Sequence, residues 1–363
     1  MSSRSVFADL ILLPLSKIYG GITWLRNKLF DWKVLPQREF SVPIIVVGNL
    51  AVGGTGKTPH TEYIVSELMH KYHIAVLSRG YKRKTRGFIL ATPYSKPTDI
   101  GDESYQMYEK FGHKVTVAVC EDRTQGINEL IRLDPDINLI VLDDAFQHRY
   151  VKPTVAVIMT EFNRPLFRDH MLPYGRLREP LRGVHRADIV VATKCSGNMK
   201  DQEYSFFKRD LDLFPYQDLF FSRYVYQELV PLFPDRSASI PGLQWMTARD
   251  SVLAVAGIDN PRPFVKYLKS FMPKVRVNIF ADHHAFTRKD MELLLKRYST
   301  MTGHQRIVVT TEKDAVRLAA SPYFPPELRA VTYYIPIKVE FSARGGDFIE
   351  AIEARIRNNS KIR

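Results

Sequence analysis

Cysteine is scarce in this chain: Cys120 and Cys195 are the only two among 363 residues, with no pairing pattern and no metal-ligand spacing. Nothing therefore points to a disulfide scaffold or a zinc site, and the usage suits a reducing cytoplasm. An uninterrupted spanning segment is also lacking at the N-terminus. Between Phe7 and Leu29 the longest uncharged run is eight residues, whereas a spanning helix needs about 20 apolar ones. Asp9 breaks the apolar region and no clear small-residue cleavage site follows, which argues against a secretory signal. Dense Lys/Arg blocks, recognised nucleic-acid modules, repeats and low-complexity tracts are absent too.

What is present begins with charge. The net value of +13, on an ordinary background of 45% apolar and 25% charged residues, implies an anionic partner without choosing among nucleic acid, lipid and phosphorylated substrate. Phe7, Ile11, Leu15, Ile18, Ile22, Leu25 and Leu29 recur at spacings of three and four, one stripe of a helix. Tyr19 and Trp24 suit the headgroup level of a membrane. The pattern fits an interfacial helix with basic flanks and equally a helix packed on the protein's own core.

The densest signal is Gly48-Asn49-Leu50-Ala51-Val52-Gly53-Gly54-Thr55-Gly56-Lys57-Thr58, which follows the apolar run 42–47. A strand, a glycine-rich turn and Gly-Lys-Thr opening a helix is the order of a phosphate-binding loop. Gly53, Gly54, Thr55, Gly56, Lys57 and Thr58 are the expected nucleotide contacts: amides on the phosphates, Lys57 on the β and γ groups, Thr58 toward Mg²⁺. The strict pattern needs glycine where Ala51 stands, and Val52 replaces the lysine of a variant ATPase loop. A dinucleotide fingerprint fails at Pro59.

Short apolar runs near 74–78, 115–119, 139–142, 155–159 and 189–192 alternate with helical stretches, which predicts a mostly parallel sheet covered on both faces. A second series, near 252–256, 275–280, 307–310 and 331–335, predicts a smaller α/β unit. The expected organisation is an N-terminal helix in 1–35, a P-loop core in 36–218, an extended β linker in 219–250 and the smaller domain in 251–363. Within the last, 333–341 is a candidate to return beside the linker as a ribbon, with the final helix near either domain.

Asp143 and Asp144 end the run 139–142 as the acid of a Mg²⁺-binding strand does, Asp143 being the expected metal-side residue. Asp102 and Glu103 suit a proton acceptor for an attacking hydroxyl, although helix capping explains their spacing as well or better. Asp282-His283-His284 allows an acid–base group oriented by a carboxylate, or a polar turn. Arg79, Lys82, Arg123, Arg176 and Arg178 are candidate phosphate contacts or solvated charges. Thr193-Lys194-Cys195-Ser196 lacks the aspartate that would read guanine, which favours ATP over GTP.

Together these segments resemble the tetraacyldisaccharide 4′-kinase family, the lipid A 4′-kinases of Gram-negative bacteria. The resemblance rests on 47–58, Ser78-Arg79-Gly80-Tyr81, 101–103, Asp122-Arg123, 142–148, Leu172-Pro173-Tyr174-Gly175-Arg176-Leu177-Arg178-Glu179-Pro180, Ala256-Gly257-Ile258, 282–287 and Thr311-Glu312-Lys313-Asp314-Ala315-Val316, in order along most of the chain. It implies a two-domain P-loop fold with the active site between the domains, using ATP and Mg²⁺ to phosphorylate a tetraacyl glucosamine disaccharide 1-phosphate. Asp102 is then the base, assisted by His283, with His284 the alternative, and Arg123 a phosphate contact. Asp143, Asp144 and Glu179 match acids near Mg²⁺. The resemblance also implies peripheral association with the cytoplasmic face of an anionic inner membrane, and neither a nucleic acid nor an obligate protein partner. A nucleotide-hydrolysing P-loop assembly factor is the rival, and a nucleotide-switched membrane- or nucleic-acid-binding module the non-enzymatic one.

Overall fold

The computed structural model describes residues 6–361 apart from 198, 237–241 and 343–345. Parts of the expected N-terminal, linker and C-terminal segments therefore lie outside the described residues. Strands β1 (Ile44–Asn49), β2 (Ile74–Ser78), β3 (Ile89–Leu90), β4 (Thr116–Val119), β5 (Leu139–Asp143), β6 (Val155–Glu161), β7 (Ile189–Thr193) and β8 (Asp218–Tyr226) come first along the chain. They are followed by β9 (Val230–Pro231), β10 (Ser251–Ala256), β11 (Val275–Ile279), β12 (Arg306–Thr311), β13 (Thr332–Ile335) and β14 (Ile337–Phe341).

One sheet has the order β14-β8-β7-β6-β1-β5-β2-β4-β3. Its edges β14 and β3 are antiparallel, and the strands between them are parallel. The apolar runs are continuous because both faces are covered. Ile44 and Val46 of β1 join one core, whereas Ile45 and Val47 join the other, with Ile64 and Leu68 of helix Lys57–Leu68. Strand order reverses at β1, between β5 and β6, and in such sheets the crevice at the carboxyl ends of those strands receives ligands.

The second sheet has the order β11-β10-β12-β13-β9. The chain leaves the large sheet after β8 to reach β9, then leaves the small one after β13 to reach β14. Because β14 pairs with β8 and β9 with β13, the two crossings lie side by side. The stretch from 219, expected to be connector, thus opens as a strand of the large sheet, held by β7 through Val190↔Leu219 and Ala192↔Phe221. Phe348, Ile352 and Ile356 of the last helix pack into the large-sheet core.

Helix Val6–Asp31 settles against the large domain by its polar side. Ser16 Oγ donates to Met171 O at 2.8 Å, and Asn27 Nδ2 donates to Glu179 Oε2 at 2.7 Å. The apolar stripe is left bare, with Ile18 61% and Ile22 63% exposed. No described helix is long and apolar enough to cross a membrane.

Candidate active site

The loop after β1 leads into helix Lys57–Leu68. Gly53 and Gly56 have φ of 104° and 95°, the left-handed region that favours glycine. A Cβ on Gly56 would also stand 2.1 Å from the Tyr224 hydroxyl. No side chain caps this helix, so its first-turn N–H groups remain for a ligand and the helix dipole favours an anion there. Asn49 Nδ2 donates to Thr55 Oγ1 at 2.6 Å, and Thr193 Oγ1 to Thr55 O at 2.8 Å, which brace the loop from two strand ends.

Asp143 closes β5 beside this loop and accepts from Thr61 Oγ1 at 2.8 Å. Burial, and then the neighbouring Asp144 carboxylate, push its pKa up to about 6. Asp144 goes the other way. Burial alone would raise it, but Lys57 at 3.7 Å and Arg178 at 3.0 Å hold it below the usual carboxylate range. Two adjacent carboxylates, one of them strained toward its neutral form, and Thr58 in the first helical turn form a hard-oxygen donor set that fits Mg²⁺. The described residues contain no cluster of three or more protein metal ligands, consistent with an ion that uses one or two carboxylates together with substrate phosphates.

Arg123 is buried, and its Nη1 donates to Cys120 O at 2.9 Å. Burial lowers its pKa to about 10, opposed by the charges of Asp144 and Asp143. Glu179, expected near Mg²⁺, follows Arg178, whose guanidinium contacts Asp144. Its carboxylate accepts from Asn27 and Arg186, while its other oxygen is buried without a partner. Phosphate-loop residues, Asp143 and Asp144 are not among its partners. A buried carboxylate needs a paired cation, and Arg186 supplies it here.

The second cluster bridges the domains. Asp102 begins helix Asp102–Phe111 and accepts from Arg317 Nη1 at 3.2 Å, with His283 Nδ1 at 3.3 Å from the same oxygen. Burial works to raise the Asp102 pKa, yet the His283 hydrogen bond and the Arg317 charge outweigh it and hold the carboxyl low. Lys313 Nζ lies 2.9 Å from His283 Nε2. An ammonium only donates, so Nε2 accepts and the ring proton sits on Nδ1, facing Asp102. His283 has a φ of 57°, costly for a non-glycine residue and often found where a side chain is aimed for function. Glu103, next in the chain, lies 3.5 Å from both His283 Nε2 and Lys313 Nζ. His284 turns away: its Nε2 lies 2.9 Å from Asp290 Oδ2 and its ring stacks on Phe280.

Comparisons with known proteins bear directly on this arrangement. Residues 8–357 match the family described as Tetraacyldisaccharide-1-P 4′-kinase. The chain is 44% identical over 358 residues to the tetraacyldisaccharide 4′-kinase of Bacteroides thetaiotaomicron, covering 96% of this chain and 94% of the relative. It is 43% identical over 372 residues to that of Parabacteroides distasonis, covering both chains in full. The chain belongs to the tetraacyldisaccharide 4′-kinase family. It is similar in structure to LpxK from Aquifex aeolicus, solved as an "apo" form in complex with ATP. There the TM-score is 0.69 at 28% identity, across 95% of this chain and 97% of that one.

As a member of a 4′-kinase family the chain is an ATP-dependent kinase of lipid A synthesis, and its P-loop fold is the one the resemblance implied. Several residues of the candidate site escaped the reading of the sequence. Thr61 lies one helical turn beyond Lys57 and Arg317 one turn beyond Asp314, and nothing local marks either. Asp259 is a third: its carboxylate reaches the phosphate loop, accepting from Gly54 N at 3.4 Å. Its only sequence signal is its place just after the family segment 256–258.

Proposed function

We propose that the chain transfers the γ-phosphoryl group of ATP to the 4′-hydroxyl of a tetraacyl glucosamine disaccharide 1-phosphate, with Asp102 as base. The observation that carries this reading is the Asp102–His283–Arg317 cluster, contributed by both domains. ATP with Mg²⁺ supplies the transferable phosphoryl group and neutralises its charge. Lys57 and the amides of 53–58 grip the triphosphate, while Thr58, Asp143 and Asp144 are the oxygen donors for the metal. Arg123 lies near both carboxylates and adds positive charge to the phosphate side. Asp102 receives the hydroxyl proton, and His283 Nδ1–H holds its carboxylate in line. A carboxylate of low pKa is adequate, because the transition state is loose and the proton leaves late. Positioning and electrostatics then dominate the rate.

The bare stripe of helix Val6–Asp31 supports a peripheral seat on the cytoplasmic face of an anionic inner membrane, where the lipid acceptor resides. Lys17, Arg26 and Lys28 flank it with positive charge. Glu179, by gripping Asn27, ties that helix to the loop carrying Arg178.

The test is a radiolabelled-ATP assay with tetraacyl disaccharide 1-phosphate in mixed micelles. Label is expected on the lipid, and label only in free phosphate overturns the reading in favour of a hydrolase. Lys57→Ala and Asp102→Ala are each expected to cut turnover by roughly 10²–10⁴-fold. Near-normal turnover by Asp102→Ala would remove the base assignment and leave the kinase standing.

A further inference from the structure

The small domain carries a groove that none of the chemistry above uses. Its floor is apolar, formed by Val265 of helix Arg262–Phe271 and by Val277 and Ile279 of β11, and its volume is about 410 Å³. Ile279 is 50% exposed, on the outermost strand of the sheet. Arg262, Lys266 and Lys269 line the rim. Their spacing of four and three places them on one helix face, over about 10 Å of helix. All three are exposed and form no ion pair with any described residue.

We propose that this groove binds one anionic phospholipid of the bilayer, its acyl chain along Val265, Val277 and Ile279 and its phosphate against Arg262, Lys266 and Lys269. Neither half of the groove suits a simpler occupant. A free anion has no use for the apolar floor, and an apolar peptide leaves three unpaired cations unanswered. The position agrees with the chemistry. β10 and β11 are parallel, with Ala256 beside Ile279, so Ile279 lies toward the end of the sheet where Asp259 meets the phosphate loop and His283 meets Asp102. Helix Val6–Asp31 borders the same cleft from the large domain, through Tyr19 on Arg178 O. The inference rests on the peripheral seat proposed above and adds a second, small-domain contact to it.

The experiment uses the full chain and vesicles of phosphatidylcholine with or without phosphatidylglycerol, read by flotation at low salt. Near an anionic surface each basic residue contributes roughly fivefold in affinity, so Arg262→Glu/Lys266→Glu/Lys269→Glu is expected to lose about a hundredfold or more on anionic vesicles and little on neutral ones. Ile279→Asn is expected to lose roughly tenfold on anionic vesicles, because it removes the floor and no charge. A control of equal charge change, Lys114→Glu/Lys208→Glu/Lys289→Glu, is expected to lose far less. Unchanged binding by the rim variant, or equal loss by the control, overturns the proposal, and so does equal loss on neutral vesicles. Turnover on detergent-dispersed substrate, expected to be unchanged in all variants, reports folding. Its failure in the unsubstituted protein as well would count against the kinase reading and leave the vesicle result intact.

Discussion

Lys313 donating to His283 Nε2 and the Nδ1 proton facing Asp102 give the imidazole one defined tautomer, whereas His284 spends its hydrogen bond on Asp290 at a helix start. The two neighbours should therefore separate cleanly on substitution. His283→Ala is expected to lower kcat by about 10²-fold with little change in KM for ATP. His284→Ala is expected to keep kcat within a few fold and cost about 1 kcal/mol of stability, measured by urea denaturation. Asp143 offers a second residue-scale test. Its pKa stands near 6 in the folded chain against an ordinary aspartate value of 3.8, so between about pH 4 and 6 the folded state binds a proton that the unfolded state does not. The stability tied to that proton is present at low pH and lost as pH rises through 6. In metal-free protein, Asp143→Asn is expected to be more stable than the parent by roughly 3 kcal/mol at pH 8, using about 1.4 kcal/mol per pKa unit. The difference should vanish near pH 4, and a difference that persists there would contradict the cause assigned.

At the scale of elements, the phosphate loop depends on β8 as much as on its own glycines. Gly56 needs its left-handed φ and also lies against the Tyr224 hydroxyl. His60, one turn into the loop's helix, joins the two by contacts of 2.7 Å to Gly56 O and to Ser222 Oγ. Gly56→Ala is expected to weaken ATP binding at least tenfold, by titration calorimetry, through strain of more than 1 kcal/mol. Adding Tyr224→Phe should restore part of that loss, since the nearest remaining ring atom is then 3.4 Å away; no recovery would mean that φ alone sets the cost. The N-terminal helix shows how an amphipathic stripe misleads. Its apolar spacing is equally that of a core helix, and only the docking of Ser16, Tyr19 and Asn27 by hydrogen bonds shows that the apolar side is the free one.

Over the whole molecule, the polar contacts between the two domains include Asp102 with His283 and Arg317, Lys110 with Glu312, and Asp259 with Gly54, while Glu103 also faces His283 and Lys313. The contact of Asp259 with Gly54 places a carboxylate on an amide that a nucleotide phosphate would use, so nucleotide entry must displace it. Asp259→Asn is accordingly expected to lower KM for ATP several-fold with kcat little changed, in steady-state assays, and a raised KM would show that the carboxylate helps rather than competes. Much of this molecule is local in origin. The strands, the glycine loop and the acids at 143–144 are short-range patterns, because period, turn chemistry and strand-end position are written within a few residues, and their order along the chain carried the family. The meeting of Asp102 with His283 and the approach of Asp259 to the loop join residues more than a hundred positions apart. Those were decided only when two sheets packed across paired crossings, since burial and charge pairing act between surfaces that no local pattern contains.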